Sequence, residues 1–227
     1  MTGMKKLVLS LLVCVSAANV FAAGGKAKGS SAAMQKPKVL VMAPSDNVKS
    51  NYYVKEMLAE GTGIDKDSIS YVYNNVIGSN LEKLSQKNGV VLLNACDSKD
   101  KQINSLARSM RISGSGQDAA ADMSAVDKNA LHAEMQRLGA KYLLVIGQHY
   151  LKYQEQPLKT TFHFVSYSVY DINDKKLGGG SVYFTSFDPQ GVAEMAKSSV
   201  KSSKKIVSDV ERMVEKEQPV LSSAKRD

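Results

Sequence analysis

Residues 127–187 constrain the fold of this chain more than any other stretch. Apolar side chains recur at helical spacing over residues 130–138, and Gly139 follows as a stop signal. Residues 142–147 then form a continuous apolar run, which is short enough to be a strand buried on both faces. A helix that leads directly into a buried strand predicts a sheet with helices packed against it.

The second half of this stretch predicts a long β-hairpin. Residues 161–172 are rich in aromatic and β-branched side chains, a polar turn follows at residues 173–176, and residues 177–187 run back. The consecutive glycines at residues 178–180 precede a strand rather than a helix. They therefore predict a bulge or twist in the hairpin and not a phosphate-binding loop.

The preceding residues complete an α/β pattern. Residues 38–44 and 90–96 predict strands, and the amphipathic spacing of residues 68–87 predicts a helix between them. Tight junctions between strand, helix and strand are typical of an α/β layer. We therefore predict a single α/β domain over residues 37–217, with a mixed sheet of about four or five strands and packed helices.

Two further segments of this domain differ in character. The Gly-, Ser- and Ala-rich residues 113–122 indicate a disordered insertion. Beyond the hairpin, residues 190–217 predict one long helix with an apolar stripe. Lys201, Lys204 and Lys205 lie on its other faces, which makes the helix a candidate basic surface for a partner.

The N-terminal sequence predicts export. A lysine pair is followed by an apolar run too short to span a bilayer, and Ala22 ends a small-residue cleavage motif. We expect a signal peptide over residues 1–22 that is cleaved near Ala22. A flexible tether over residues 23–36 and a polar tail over residues 218–227 are expected on either side of the domain.

The two cysteines have different expected fates. Cys14 lies within the predicted signal, and its lipidation is not expected because the preceding Val13 is not a small residue. Signal removal leaves Cys96 as the single cysteine, so the mature chain cannot form an intrachain disulfide. Cys96 ends an apolar run and is interpreted as a small buried hydrophobe.

Composition limits the classes of partner. Apolar residues make up 43% and charged residues 23% of the chain, as in globular proteins. The formal charge is +8. For an exported protein, this charge favours an acidic protein face, peptidoglycan or an anionic membrane surface over nucleic acid. Self-association is also left open.

The sequence contains no recognisable catalytic constellation. His132, His149 and His163 lack the paired spacing of a zinc site, and no metal or cofactor is expected. An enzyme whose site assembles from distant residues stays open. A deep polar pocket that collects these histidines with carboxylates would support it.

Alternation along the first hairpin arm separates two faces. We expect one face to pack on helices and the other to be mixed. Tyr167, Tyr170 and Tyr183 are interpreted as candidate partner contacts, because exposed tyrosines contribute contact area at low entropic cost. The first face comprises Phe162, Phe164, Ser166, Ser168 and Tyr170, and the second comprises His163, Val165, Tyr167, Val169 and Asp171.

The junction at residues 138–147 resembles a signature of a group of bacterial envelope proteins. The group includes the curli secretion protein CsgG, the LpoB-type activators of penicillin-binding proteins and the N-terminal domain of TolB. Their signature is the end of a helix, then Gly-Ala-Asp-Tyr, then a strand. Here Leu138 ends the predicted helix, and Gly139-Ala140-Lys141-Tyr142 follows with Lys141 in place of the acidic residue. Residues 143–147 match the strand. The resemblance covers roughly residues 39–214 and implies a non-enzymatic envelope domain that binds another protein.

The expected function follows from the export signal, the missing catalytic pattern and this resemblance. It is an exported, non-enzymatic protein-binding module that acts in bacterial cell-envelope assembly, secretion or regulation of cell-wall synthases. One alternative is a protein that binds peptidoglycan or anionic lipid through its basic C-terminal helix. The other is an enzyme with an unrecognised site.

Overall fold

A computed structural model describes residues 36–116 and 119–217. The predicted signal peptide, the polar tail and the whole predicted tether except Lys36 lie outside the described residues. In the described ranges, no helix combines the length and apolarity needed to cross a membrane.

Helices and short strands are interspersed before β6, and a long antiparallel hairpin follows. In chain order the elements are β1 (Lys38–Met42), β2 (Val48–Ser50), α1 (Lys55–Thr62), α2 (Ile69–Ser85), β3 (Val91–Asn94), α3 (Lys101–Ser109), β4 (Arg111–Ser113), β5 (Ala120–Asp122), α4 (Lys128–Leu138), β6 (Tyr142–Gln154), β7 (Thr160–Asp171), β8 (Lys176–Ser186), α5 (Val192–Ser198) and α6 (Val200–Glu217).

The main sheet is mixed, which confirms the predicted α/β class. Five strands lie in the order β3-β1-β6-β7-β8, and β2 also pairs with β6. The pairs of β1 with β3, β1 with β6 and β2 with β6 are parallel, whereas β6, β7 and β8 are antiparallel neighbours. The sheet thus has six strands rather than about four or five, because the three-residue strand β2 has too short a pattern to recognise.

Helices cover both faces of the sheet. Val39 and Val41 of β1 face one core with α2 and α6, while Leu40 and Met42 face a second core with α3 and α4. Because β1 is buried on both faces, residues 39–42 are all apolar and the strand has no polar face.

The strand predicted at residues 142–147 extends to Gln154. The pairing register of β6 with β7 shifts between Ile146 and His149, so the strand is irregular where its apolar run ends. A Cβ atom added at Gly147 would lie 2.5 Å from the Ser166 hydroxyl oxygen, which shows how closely β7 approaches there. The prediction was too short because polar residues continue the strand beyond this irregularity.

The helix at the end of the domain is divided. The prediction of one helix over residues 190–217 was wrong, because α5 and α6 meet at Ser199. The buried Ser199 hydroxyl lies 2.6 Å from the Met195 carbonyl oxygen, to which it donates, and 3.0 Å from Nδ2 of Asn80, from which it accepts. Serine hydroxyls that bond to the preceding turn commonly bend helices.

The prediction that residues 113–122 are disordered was wrong for the described residues, which lie on either side of positions 117–118. The strands β4 and β5 form an antiparallel pair, with Ile112 opposite Ala121. Ala119 is fully buried, and its carbonyl oxygen accepts a 2.7 Å hydrogen bond from Ser166 of β7. Contacts with the main sheet order this segment, and composition alone does not encode them.

Candidate protein-interaction surface

Three aromatic side chains lie together on the face of the sheet that is directed away from α6. We call Phe162, Phe164 and Tyr183 the aromatic patch. The ring centroids of the two phenylalanines are 6.2 Å apart, and the Tyr183 ring lies 5.7 Å from that of Phe164. Tyr183 is 59% exposed, and the phenylalanines are half-buried.

The register of the hairpin builds this patch. Phe164 lies directly opposite Tyr183 on the neighbouring strand, so their side chains leave the sheet on the same face. Val165, Val182 and Phe184 alternate with them and enter the core beneath α6. The glycines at residues 178–180 lie near the start of β8, next to the register shift opposite Val169 and Tyr170 of β7. The predicted bulge in the hairpin is therefore confirmed.

A groove with two lysines adjoins the patch at the edge strand β8. Its volume is about 400 Å³, and we call it the lysine groove. The Ser202 hydroxyl donates a 2.6 Å hydrogen bond to the Tyr183 carbonyl oxygen, which fixes α6 against the outer side of β8. The groove is lined by Ser181, Val182, Tyr183, Lys201, Ser202 and Lys205.

Of the two lysines that line this groove, only Lys205 forms an ion pair within the described ranges. Lys205 forms a 2.8 Å ion pair with Asp209, which also accepts from Arg212 at 2.9 Å. Burial acts to raise the pKa of Asp209, but its hydrogen bonds with Lys205 and Tyr167 outweigh this and leave the pKa below its usual value. Lys201 and Lys204 form no ion pair within the described ranges. Lys201 therefore brings an unneutralised charge to the groove.

The structure separates the three tyrosines that were predicted as exposed contacts. Tyr183 is exposed, but the prediction for Tyr167 was wrong because this residue is 4% exposed beneath α6. Its hydroxyl donates to Asp209 at 2.6 Å, and burial raises its pKa well above the usual value. Tyr170 is half-buried at the far end of β7, where it packs against the second core.

Two of the three lysines predicted as partner contacts lie together at the lysine groove. Lys201 and Lys205 line the groove beside Tyr183, whereas Lys204 is exposed on α6 without lining it. Phe162 and Phe164 were not among the predicted contacts, although the alternation of the strand grouped them on one face. The β-branched Val165 and Val169 on the opposite face are the signal that could have marked Phe162 and Phe164 as outward.

The histidines do not assemble into a polar site with carboxylates. Nε2 of His149 lies 3.2 Å from Nδ1 of His163 inside the core, while His132 pairs separately with Asp174 at 3.1 Å. Over the described part of the chain, no group of three or more histidine, cysteine or acidic residues is arranged to hold a metal ion.

Comparisons with known proteins give weak structural similarities. No protein-family model matches the sequence, and no curated protein matches it significantly. The PelC dodecamer from Paraburkholderia phytofirmans is similar with a TM-score of 0.37 and 9% identity, over 75% of this chain and 89% of that chain. The hypothetical protein CT253 from Chlamydia trachomatis is similar with a TM-score of 0.43 and 14% identity, over 78% of this chain and 98% of that chain. The resemblance to CsgG, LpoB and the TolB N-terminal domain stays a prediction.

Proposed function

We propose that the protein is an exported, non-enzymatic module that binds another protein in the bacterial cell envelope. The observation that carries the proposal is the aromatic patch beside the lysine groove. Aromatic side chains that are partly solvent-exposed and mutually packed resemble the anchors of protein interfaces. The N-terminal sequence supports export, and the resemblance supports a role in envelope assembly, secretion or regulation of cell-wall synthases.

The chemistry of the surface indicates what the partner offers. Tyr183 contributes both an exposed ring to the patch and a wall to the groove. A partner that places an apolar side chain against Phe162 and Phe164 can place a carboxylate near Lys201. Complementary charge at the rim mainly raises the association rate and the specificity. The proposed partner surface is therefore apolar at its centre and acidic at one side.

Site-specific photo-crosslinking in intact envelopes tests this function. A photoreactive phenylalanine analogue at Tyr183 is expected to give discrete crosslinked protein species. The matched control is the same analogue at Tyr52, which is 53% exposed and lies outside the patch. Indistinguishable products from the two positions, or no protein adduct from Tyr183, would contradict the proposal.

A second candidate function rests on the exposed lysines of α6. Lys201, Lys204 and Lys205 can bind peptidoglycan or anionic lipid through charge alone. Sedimentation with purified peptidoglycan and with anionic vesicles tests this alternative. Binding that is lost on replacement of the three lysines by glutamine, and weakened at high salt, would favour it over the protein-partner proposal.

A further inference from the structure

A cavity of about 280 Å³ opens at the carboxyl ends of β1 and β3. The residues that follow these strands, Pro44 with Ser45 and Ala95 with Cys96, form part of its wall. Residues from α2 and α3 close it on two sides. None of these residues belongs to the aromatic patch or the lysine groove.

The topology of the sheet accounts for this opening. The strands β1 and β3 are parallel neighbours. The connection from β1 to β3 passes through α2 on one face, whereas the chain leaves β3 for α3 on the other face. Adjacent parallel strands whose connections depart to opposite faces leave a crevice at their carboxyl ends, where α/β proteins bind ligands.

The walls of the cavity carry opposite charges. Asp67 lies just before α2, and Arg108 lies in the last turn of α3, on the facing wall. Within the described ranges, neither side chain forms an ion pair or a side-chain hydrogen bond with another residue. Both charges are therefore free to engage a ligand.

Most of the remaining lining is apolar or already hydrogen-bonded. Asn74 is fixed by its hydrogen bonds to Asn47 and to the Pro44 carbonyl oxygen. Burial raises the pKa of the Cys96 thiol to about 12, so the thiol is neutral and is unsuited to nucleophilic chemistry. The apolar lining comprises Met42, Ala43, Ala95, Ile103 and Ala107.

We propose that this cavity binds a free α-amino acid with an apolar side chain. The ligand carboxylate would pair with Arg108, its ammonium group with Asp67, and its side chain with the apolar lining. The volume suits a molecule of this size, because pockets for larger ligands occupy about 300–1,000 Å³. Binding of this ligand is independent of the proposed protein-binding function.

Isothermal titration of the full chain tests this site, with L-leucine as the probe. Saturable binding is expected, and Arg108→Gln or Asp67→Asn should each weaken it at least tenfold. The matched control is Arg111→Gln, which removes an exposed arginine of β4 that does not line the cavity. Circular dichroism spectra should be the same for all variants.

Two truncated probes separate the roles of the charges. 4-Methylpentanoate lacks the ammonium group, so its weaker binding should be unaffected by Asp67→Asn but reduced by Arg108→Gln. 3-Methylbutylamine lacks the carboxylate and should show the reverse pattern. Absence of saturable binding by L-leucine, L-methionine and L-valine would overturn the proposal, as would equal losses in Arg108→Gln and Arg111→Gln.

Discussion

The buried histidine pair has hydrogen bonds that define its protonation. The Ser186 hydroxyl donates to the Asp188 carbonyl oxygen at 2.7 Å, so it accepts from Nε2–H of His163 at 2.9 Å. Nδ1 of His163 is then an acceptor for Nε2–H of His149. Nδ1 of His149 has no hydrogen-bond partner among the described residues. Both imidazoles are therefore neutral, because a proton on Nδ1 of His149 would be buried without an acceptor.

This pair should make the stability of the protein fall in acid. Burial lowers the pKa of His149 well below its usual value and lowers that of His163 to about 3. Below about pH 6.5 the unfolded state binds protons that the folded state does not, so the free energy of unfolding decreases as the pH falls toward 3. The slope can reach about 1.4 kcal/mol per pH unit for each histidine.

Urea unfolding at pH 7.5 and pH 4.5 measures this effect. His149→Phe removes one titrating group and keeps a ring beside Tyr73 and Phe184, so the difference between the two pH values should shrink. His132→Gln is the control, because His132 is partly exposed and lies outside this pair. An unchanged pH dependence in His149→Phe would contradict the assignment.

At the scale of elements, a buried side-chain hydrogen bond joins the hairpin to the last helix. Tyr167 of β7 donates to Asp209 of α6 beneath the surface. Tyr167→Phe should lower the free energy of unfolding by about 1–2 kcal/mol, because a buried hydrogen bond to a carboxylate is lost. Chemical denaturation measures the change. Tyr183→Phe removes an exposed hydroxyl from the adjacent strand and should have no effect; equal losses in both variants would refute a specific role for the buried bond.

The approach of β8 to β7 gives a second test at this scale. A Cβ atom at Gly179 would lie 2.4 Å from the Tyr167 carbonyl oxygen, so the backbone of β7 or β8 must shift. Gly179→Ala should therefore destabilise the protein by about 1–3 kcal/mol in thermal or urea unfolding.

Gly61→Ala is the control for this substitution. A Cβ atom there meets Pro189 only at 3.5 Å, an ordinary contact distance. Because Gly61 lies within α1, alanine should stabilise the helix by about 0.5–1 kcal/mol. A stable Gly179→Ala variant with unchanged unfolding would show that β8 can move away from β7 without cost.

The sequence predicted helix α4 correctly because its apolar periodicity and its capping residues indicate the same bounds. Asp127 accepts a hydrogen bond from the Ala130 amide at the start of α4, and Gly139 adopts a left-handed conformation at its end, as the pattern indicates. The cavity between α2 and α3 was not predicted, because Asp67 and Arg108 are 41 positions apart and only the crossover of the chain brings them to facing walls. The contact between His149 and His163 was not predicted either, because the residues flanking each histidine in the sequence do not indicate which side chain it meets.

At the scale of the whole molecule, the predicted signal peptide makes export directly testable. Expression of the full chain in a Gram-negative host should give a periplasmic product whose N-terminus is Ala23, since cleavage is expected after Ala22. Intact-mass measurement of the periplasmic fraction checks this. Ala22→Leu places a bulky side chain at the cleavage site and should leave the precursor uncut. A cytoplasmic product that retains Met1 would refute export.

The position of β6 also determines when the fold can form during synthesis. This strand lies at the centre of the sheet and pairs with β1, β2 and β7. Its partner Val39 precedes Tyr142 by about a hundred residues, so the central parallel pairing must close a long loop. A nascent chain therefore emerges with β1 lacking its central neighbour until most of the domain has been made. The main sheet therefore stays incomplete until β6 has been synthesised.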